Sequence, residues 1–151
     1  MRVALVTGGG SGIGRSAALE LNKIDFTVYV VGRRKEELIK TSSLATNNNH
    51  KIIPIKTDIT IGSQVIALFD KIKSDHGRID LLFNNAGMGA PRVPIEDLKE
   101  EDWRKTVDVN LTGSFLCSQQ AIKLMKNQSP QGGRIVTVSY THLTLPTTCS
   151  V

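Results

Sequence analysis

Thr7-Gly8-Gly9-Gly10-Ser11-Gly12-Ile13-Gly14-Arg15, directly after the apolar run Val3-Ala4-Leu5-Val6, is the stretch that decides the fold. A β-branched apolar run that breaks into glycines and then into a helical pattern reads as a strand turning sharply into a helix N-terminus. Such a junction presents backbone N–H groups without intrahelical partners at the positive end of a helix dipole, which suits a phosphate or pyrophosphate. Glycine permits the tight turn and lets the backbone approach an anion with no Cβ between them. Two standard fingerprints do not match. Gly8, Gly12 and Gly14 are spaced G-x3-G-x-G rather than G-x-G-x-x-G, and in Gly9-x4-Gly14-Arg15-Ser16 an arginine stands where a P-loop requires lysine. A mononucleotide hydrolase and a purely structural glycine turn are therefore the competing readings of this loop.

Outward from the loop, short apolar runs alternate with segments of helical period. Strands are expected at Val3-Thr7, Phe26-Val31, Ile52-Lys56, Ile79-Asn84 and Arg134-Val136. Helices are expected at Gly12-Leu21 and Lys35-Leu44, through Val65, Leu68, Phe69 and Ile72 at i, i+3, i+4, i+7, from about Glu100, and at Leu111-Lys126. Continuous apolar strands joined by helices imply a parallel sheet covered on both faces, because each parallel crossover lays its helix over the sheet. The fold class is α/β, a doubly wound parallel sheet with helices on both faces, in one domain, with Ser42-Asn49 a helix end running into a polar loop.

With 151 residues the chain has room for one buried core, and 40% hydrophobic with 22% charged residues argues against disorder. The net charge of +5 is spread along the chain apart from Arg33-Arg34-Lys35, and it forms no basic stripe with stacking aromatics, so no nucleic-acid partner is expected. No apolar run approaches the roughly 20 residues of a membrane span, and no membrane association is expected. Cys117 and Cys149 are too few for a disulfide framework, and Cys117 lies in an apolar helical pattern that predicts a buried free thiol, which fits a reducing cytoplasm. Trp103, at helical spacing, is expected to pack, and His50 and His76 lack spaced ligand partners, so no metal site is expected.

Thr7-Gly8-x3-Gly12-x-Gly14, Asp58-Ile59, Asn84-Asn85-Ala86-Gly87 and Asn110, in this order, resemble the motifs of the short-chain dehydrogenase/reductase family. The resemblance covers Met1 to about Val136 and implies a Rossmann-type sheet binding a nicotinamide dinucleotide at its carboxyl edge. It assigns pyrophosphate and ribose to Gly8, Ser11, Gly12 and Gly14, and places Ile13 toward the nicotinamide. Asp58, with Ile59, would accept from the adenine amino group, and Asn85, Ala86 and Gly87 would pass close to the adenine ribose. Alone, Asp58-Ile59-Thr60 reads as a cap of the third helix, and both roles are compatible. Asn110 corresponds to the family's tetrad asparagine, although a mid-helix Asn by itself reads as a local backbone-bonding residue. The implied partner is a small-molecule carbonyl or alcohol substrate, and the full-length protein is expected to be a homo-oligomer.

Cofactor choice follows from charge. Gly32-Arg33-Arg34 stands where NAD-linked relatives carry an acid for the ribose hydroxyls, and guanidinium forks match a 2′-phosphate, so NADP(H) is favoured over NAD(H). Ser11 carries no charge where some NADP-linked relatives have a base.

After Arg134-Ile135-Val136 the family pattern is expected to break off, at about the fifth strand. Tyr140 occupies the place of the catalytic serine and Ser139 the place before it, and Thr144, not lysine, is fourth after Tyr140. Val138-Ser139-Tyr140-Thr141-His142-Leu143-Thr144-Leu145-Pro146-Thr147 resembles a translated sequencing-library adapter, so residues 137–151 are expected to be a non-native tail on a partial dinucleotide-binding domain of residues 1–136. The chain is then expected to lack the family's Ser and Tyr-x-x-x-Lys and to be inactive alone. A non-catalytic NAD(P)-binding regulatory module is the alternative.

Overall fold

The computed structural model describes residues 1–138; the expectations placed on Ser139, Tyr140 and Thr144 lie outside the described residues. Five parallel strands, β1 (Arg2–Thr7), β2 (Phe26–Gly32), β3 (Ile52–Lys56), β4 (Leu81–Asn84) and β5 (Arg134–Thr137), stand in the order β3-β2-β1-β4-β5. The helices are α1 (Gly12–Lys23), α2 (Lys35–Ser43), α3 (Gly62–His76), α4 (Glu100–Val107) and α5 (Gly113–Asn127), with a 3₁₀ turn at Ile95–Asp97. This is the doubly wound Rossmann-type architecture that the alternation of runs predicts.

Strand alternation sends successive β1 side chains to opposite faces, and the two faces hold separate cores. Ala4 and Val6 pack with Ala18 of α1 and Leu38 of α2. Val3 and Leu5 pack with Val65, Leu68, Phe69 and Ile72 of α3 and with Cys117, Ala121 and Leu124 of α5. Each such burial of a large side chain stabilises by roughly 1.5–3 kcal/mol, which is why the i, i+3, i+4, i+7 pattern of α3 fixes its orientation. Burial pushes the Cys117 thiol up to about 12.

Three sequence expectations are corrected. Ile79 is fully buried but precedes β4, because its N–H and C=O pair with the Gln128 side chain at 2.8 and 3.0 Å instead of entering the sheet ladder. Trp103 is 56% exposed rather than packed, on a helix, α4, that buries no residue. The expected boundary between the fourth and fifth helices is a π-helical turn, Asp108–Thr112, that runs from one into the other without a break.

The start of the switch between β1 and β4 is fastened by Asp80. Its carboxylate accepts from Val3 N–H at 2.8 Å and from Arg78 Nη2 at 2.6 Å. Burial raises the Asp80 pKa, but the Arg78 hydrogen bonds and the Val3 amide outweigh it and hold the carboxyl below the usual aspartate range. β5 forms the far edge among the described residues, and Ile135 and Val136 on it are exposed.

Candidate functional site

Winding runs outward from β1 to β2 and β3 on one side, then returns to β4 and β5 on the other. In such sheets the crevice lies beyond the carboxyl ends of the strands at the point where the order reverses. Here that point is flanked by the glycine loop after β1 and by Asn85-Ala86-Gly87 after β4.

A cavity of about 470 Å³ occupies the crevice. Among the sequence-predicted residues, Gly8, Ser11, Gly12, Ile13, Arg33, Arg34, Asp58, Ile59, Asn85, Ala86 and Gly87 line it. Gly14 does not; it is buried beneath the loop as the third residue of α1. Asn110 lines a second cavity, of about 550 Å³, that shares Asn85, Ala86 and Gly87 with the first.

At Gly8 and Gly14 the loop meets the opposite wall and demands glycine. Gly8 has φ +67°, and a Cβ on it would lie 2.9 Å from Ala86 Cα. A Cβ on Gly14 would collide with the Gly8 carbonyl oxygen and come within 2.5 Å of Asn85 Nδ2. The two sides of the crevice are thus in direct backbone contact, and Thr7 ties them together. Its buried hydroxyl accepts from Asn85 N–H and Ala86 N–H, each at 2.9 Å, while Asn85 Nδ2 donates to Thr7 O at 3.1 Å.

On the α2 side, Arg34 Nη2 donates to Ser11 Oγ at 3.3 Å, and Arg33 and Arg34 are both exposed at the rim. Glu37 also lines the cavity, and Arg15 Nη2 meets its Oε2 at 2.7 Å. The Arg15 hydrogen bond holds the Glu37 carboxyl below its usual range. Asp58 Oδ1 accepts from Thr60 N–H at 3.0 Å and Thr60 Oγ at 2.8 Å, an Asx turn leading into α3 whose N-cap position is Ile61. The aspartate therefore organises the entry to α3 without being its N-cap, and it still faces the cavity.

Asn110 lies in the π-helical turn. Its Oδ1 accepts from Met88 N–H at 2.8 Å and its Nδ2 donates to Met88 O at 2.9 Å. The local backbone bonding expected of an isolated mid-helix Asn is replaced by a two-point clasp on a segment 22 residues away. π-turns recur at functional positions because the extra residue redirects a side chain out of the helical row.

Sequence reading missed the hydroxyl of Thr7 as a double acceptor, and it missed Thr57, Val109 and Glu37 on the cavity wall. Threonine ending the strand before the loop is the one available signal for Thr7. An acid in the first turn of a helix reads as complementing the helix dipole and carries no signal for Glu37. Among the described residues, no group of three or more His, Cys, Asp or Glu side chains is placed to hold a metal ion, and no helix is long and apolar enough to cross a membrane.

A basic rim, a glycine-lined helix N-terminus and a carboxylate deeper in the crevice form a place for an extended anionic ligand with polar ends. Comparison with known proteins agrees with that shape. The family model described as short chain dehydrogenase matches residues 2–148. The chain is 36% identical over 138 residues to 3beta-hydroxysteroid dehydrogenase from Mediterraneibacter gnavus, covering 91% of this chain and 49% of that protein. A 3-ketoacyl-ACP reductase from Sinorhizobium meliloti superposes with TM-score 0.84 at 34% identity, covering 91% of this chain and 53% of the other. A metagenomic short-chain oxidoreductase in complex with NADP superposes with TM-score 0.86 at 26% identity, covering 93% and 63%. The chain spans about half the length of the curated relatives it matches.

Proposed function

The chain belongs to the short-chain dehydrogenase family, and on that premise we propose that it supplies the NADP(H)-binding half of an oxidoreductase acting on a small carbonyl or alcohol. One observation carries the reading: the cavity at the sheet's switch point joins the glycine loop, Arg33 and Arg34 to Asp58 and Asn85-Ala86-Gly87. The fit is supported by the close approach of Gly8 to the Ala86 backbone and of Gly14 to the Asn85 side chain, which leaves no room for a Cβ at either position.

Each group then has a task. The glycine loop at the α1 N-terminus binds the pyrophosphate. Arg33 and Arg34 take the 2′-phosphate, Asp58 beside Ile59 accepts from the adenine amino group, and Asn85, Ala86 and Gly87 line the adenine ribose. Ile13 borders the nicotinamide. That ring, when bound, exchanges hydride with the substrate carbon. Asn110, held by Met88 in the adjoining cavity, supports a proton relay. NAD(H) is the weaker ligand, because Gly32 at the end of β2 carries no acid for the ribose hydroxyls and is followed by Arg33 and Arg34. The reading includes a cytoplasmic, homo-oligomeric full-length protein with no nucleic-acid or membrane partner.

Neither tyrosine of the sequence is followed by lysine at the fourth position. Tyr29 is followed four positions on by Arg33 and is fully buried, and Tyr140 by Thr144. This favours, as the second reading, a nucleotide-binding module without catalysis. In both readings the chain alone binds nucleotide and does not oxidise NADPH with a panel of ketones and aldehydes. Arg33→Asp is the test of the site. Loss of one charge-assisted pair should weaken NADPH by roughly 1.5–3 kcal/mol, or one to two decades, with far less effect on NADH. Equal NADPH and NADH affinities in both proteins would overturn the assignment.

A further inference from the structure

Arg15, the residue after the glycine loop, makes the most extensive side-chain network at the cavity. Its Nε donates to Thr41 Oγ1 at 3.0 Å, and its Nη2 donates to Gly10 O, to Glu37 O at 3.4 Å and to Glu37 Oε2 at 2.7 Å. The Thr41 hydroxyl in turn donates to Gly9 O at 2.8 Å. The carbonyls of two successive loop residues are therefore tied to α2, directly by Thr41 and by Arg15. The Arg15 side chain is only 20% exposed and that of Glu37 36%, so the pair is partly shielded from water.

Glu37 is the awkward member of this wall. It lines the cavity together with Arg33 and Arg34, and the cationic groups acting on its carboxyl include Arg34 as well as Arg15 and Lys40. The other carboxylate on the cavity wall, that of Asp58, is engaged by Thr60. Without Arg15, the Glu37 carboxylate would be left to Lys40 and Arg34 with no hydrogen bond holding it aside, and on a wall shared with Arg33 and Arg34 it would set a negative charge against an incoming phosphate.

We propose that Arg15 is a positioning residue for cofactor choice: by holding the Glu37 carboxylate through Nη2, it leaves Arg33 and Arg34 to a ligand bearing a 2′-phosphate. The inference rests on the NADP(H) reading of the cavity. It gives Arg15 a task that touches no ligand atom and acts through Glu37. NADH, which carries no 2′-phosphate, should be nearly indifferent to it.

The test is equilibrium binding of NADPH and of NADH, each by calorimetry, to the wild-type chain and to Arg15→Met, Glu37→Gln and the double variant, with far-UV circular dichroism as a check on folding. Arg15→Met should weaken NADPH by roughly three- to tenfold and leave NADH within about twofold. Glu37→Gln alone should keep the wild-type preference, and adding it to Arg15→Met should restore NADPH binding. Should Arg15→Met not fold, Arg15→Lys carries the test, since a single ammonium cannot span Thr41, Gly10 and Glu37 together. A loss confined to NADPH sustains the inference. An equal loss for both nucleotides, or no rescue by Glu37→Gln, overturns it while leaving the NADP(H) reading intact. A wild type with no preference for NADPH overturns the NADP(H) reading itself, and the inference with it.

Discussion

Replacing Thr7 by valine isolates the joint between the two sides of the crevice. The side chains are nearly the same shape, so packing in the 1% exposed position is kept while the hydroxyl that accepts from Asn85 N–H and Ala86 N–H, both at 2.9 Å, is lost. An N–H left without an acceptor costs about 1–3 kcal/mol, and two are orphaned here. The methyl that replaces the hydroxyl returns only about 0.8 kcal/mol through burial. Water from the adjoining cavity relieves part of the cost, since Asn85 and Ala86 are only half-buried, so a net loss of about 1–4 kcal/mol is expected. Urea unfolding followed by circular dichroism measures it. Thr7→Ser, which keeps the oxygen and loses one methyl, should cost only about 1 kcal/mol. The reasoning is refuted if valine lies within about 0.5 kcal/mol of the wild type, or if serine is the more damaging change.

Three further outcomes are expected. Gly14→Ala gains about 1 kcal/mol of helix propensity but drives its Cβ into the Gly8 carbonyl, a backbone atom that cannot rotate away, so it should be destabilised on balance and lose NADPH binding in a titration. Asp80→Ala should cost about 1–3 kcal/mol at neutral pH. Because the folded Asp80 pKa lies below its unfolded value, its contribution is full above the ordinary aspartate pKa, near about 3.9, and fades as pH falls through the lower folded value. Wild type and variant should therefore converge in melts run at progressively lower pH. Cys117, with its thiol pushed up to about 12 by burial, should resist iodoacetamide at pH 8 in the native protein and react once urea unfolds it, as read by mass mapping of the Cys117 peptide.

Strands β1 to β3 and helix α3 were legible because their apolar residues follow the period of the element and meet a core on the side that period selects. β4 was less so: Ile79 continues the apolar run, and only the tertiary pairing of its backbone with Gln128 takes it out of the strand. Trp103 misled for the opposite reason. Its helical spacing is real, yet the segment carries charge on nearly every turn and lies against no core face. The crevice walls were named by motif, since glycine spacing and the Asn-Ala-Gly run mark backbone proximity. The side-chain pairings behind them, Arg15 with Glu37 and Asn110 with Met88, join residues 22 apart and leave no periodic trace.

The π-turn at Asp108–Thr112 changes how the helical rod from Glu100 to Asn127 would respond to insertion and deletion. One surplus residue in a turn sets the row of side chains before it about 100° out of phase with the row after it. Removing a residue from this turn would give a regular helix of unbroken hydrogen bonding, locally the more comfortable structure. It would also swing Asn110 off Met88 and wheel α4 around the rod's axis, while Cys117 and Ala121 stayed in the core. Removing a residue from α5 would instead rotate that buried row out of the core. The rod is thus most forgiving to its backbone at the very place where a length change would unmake the clasp.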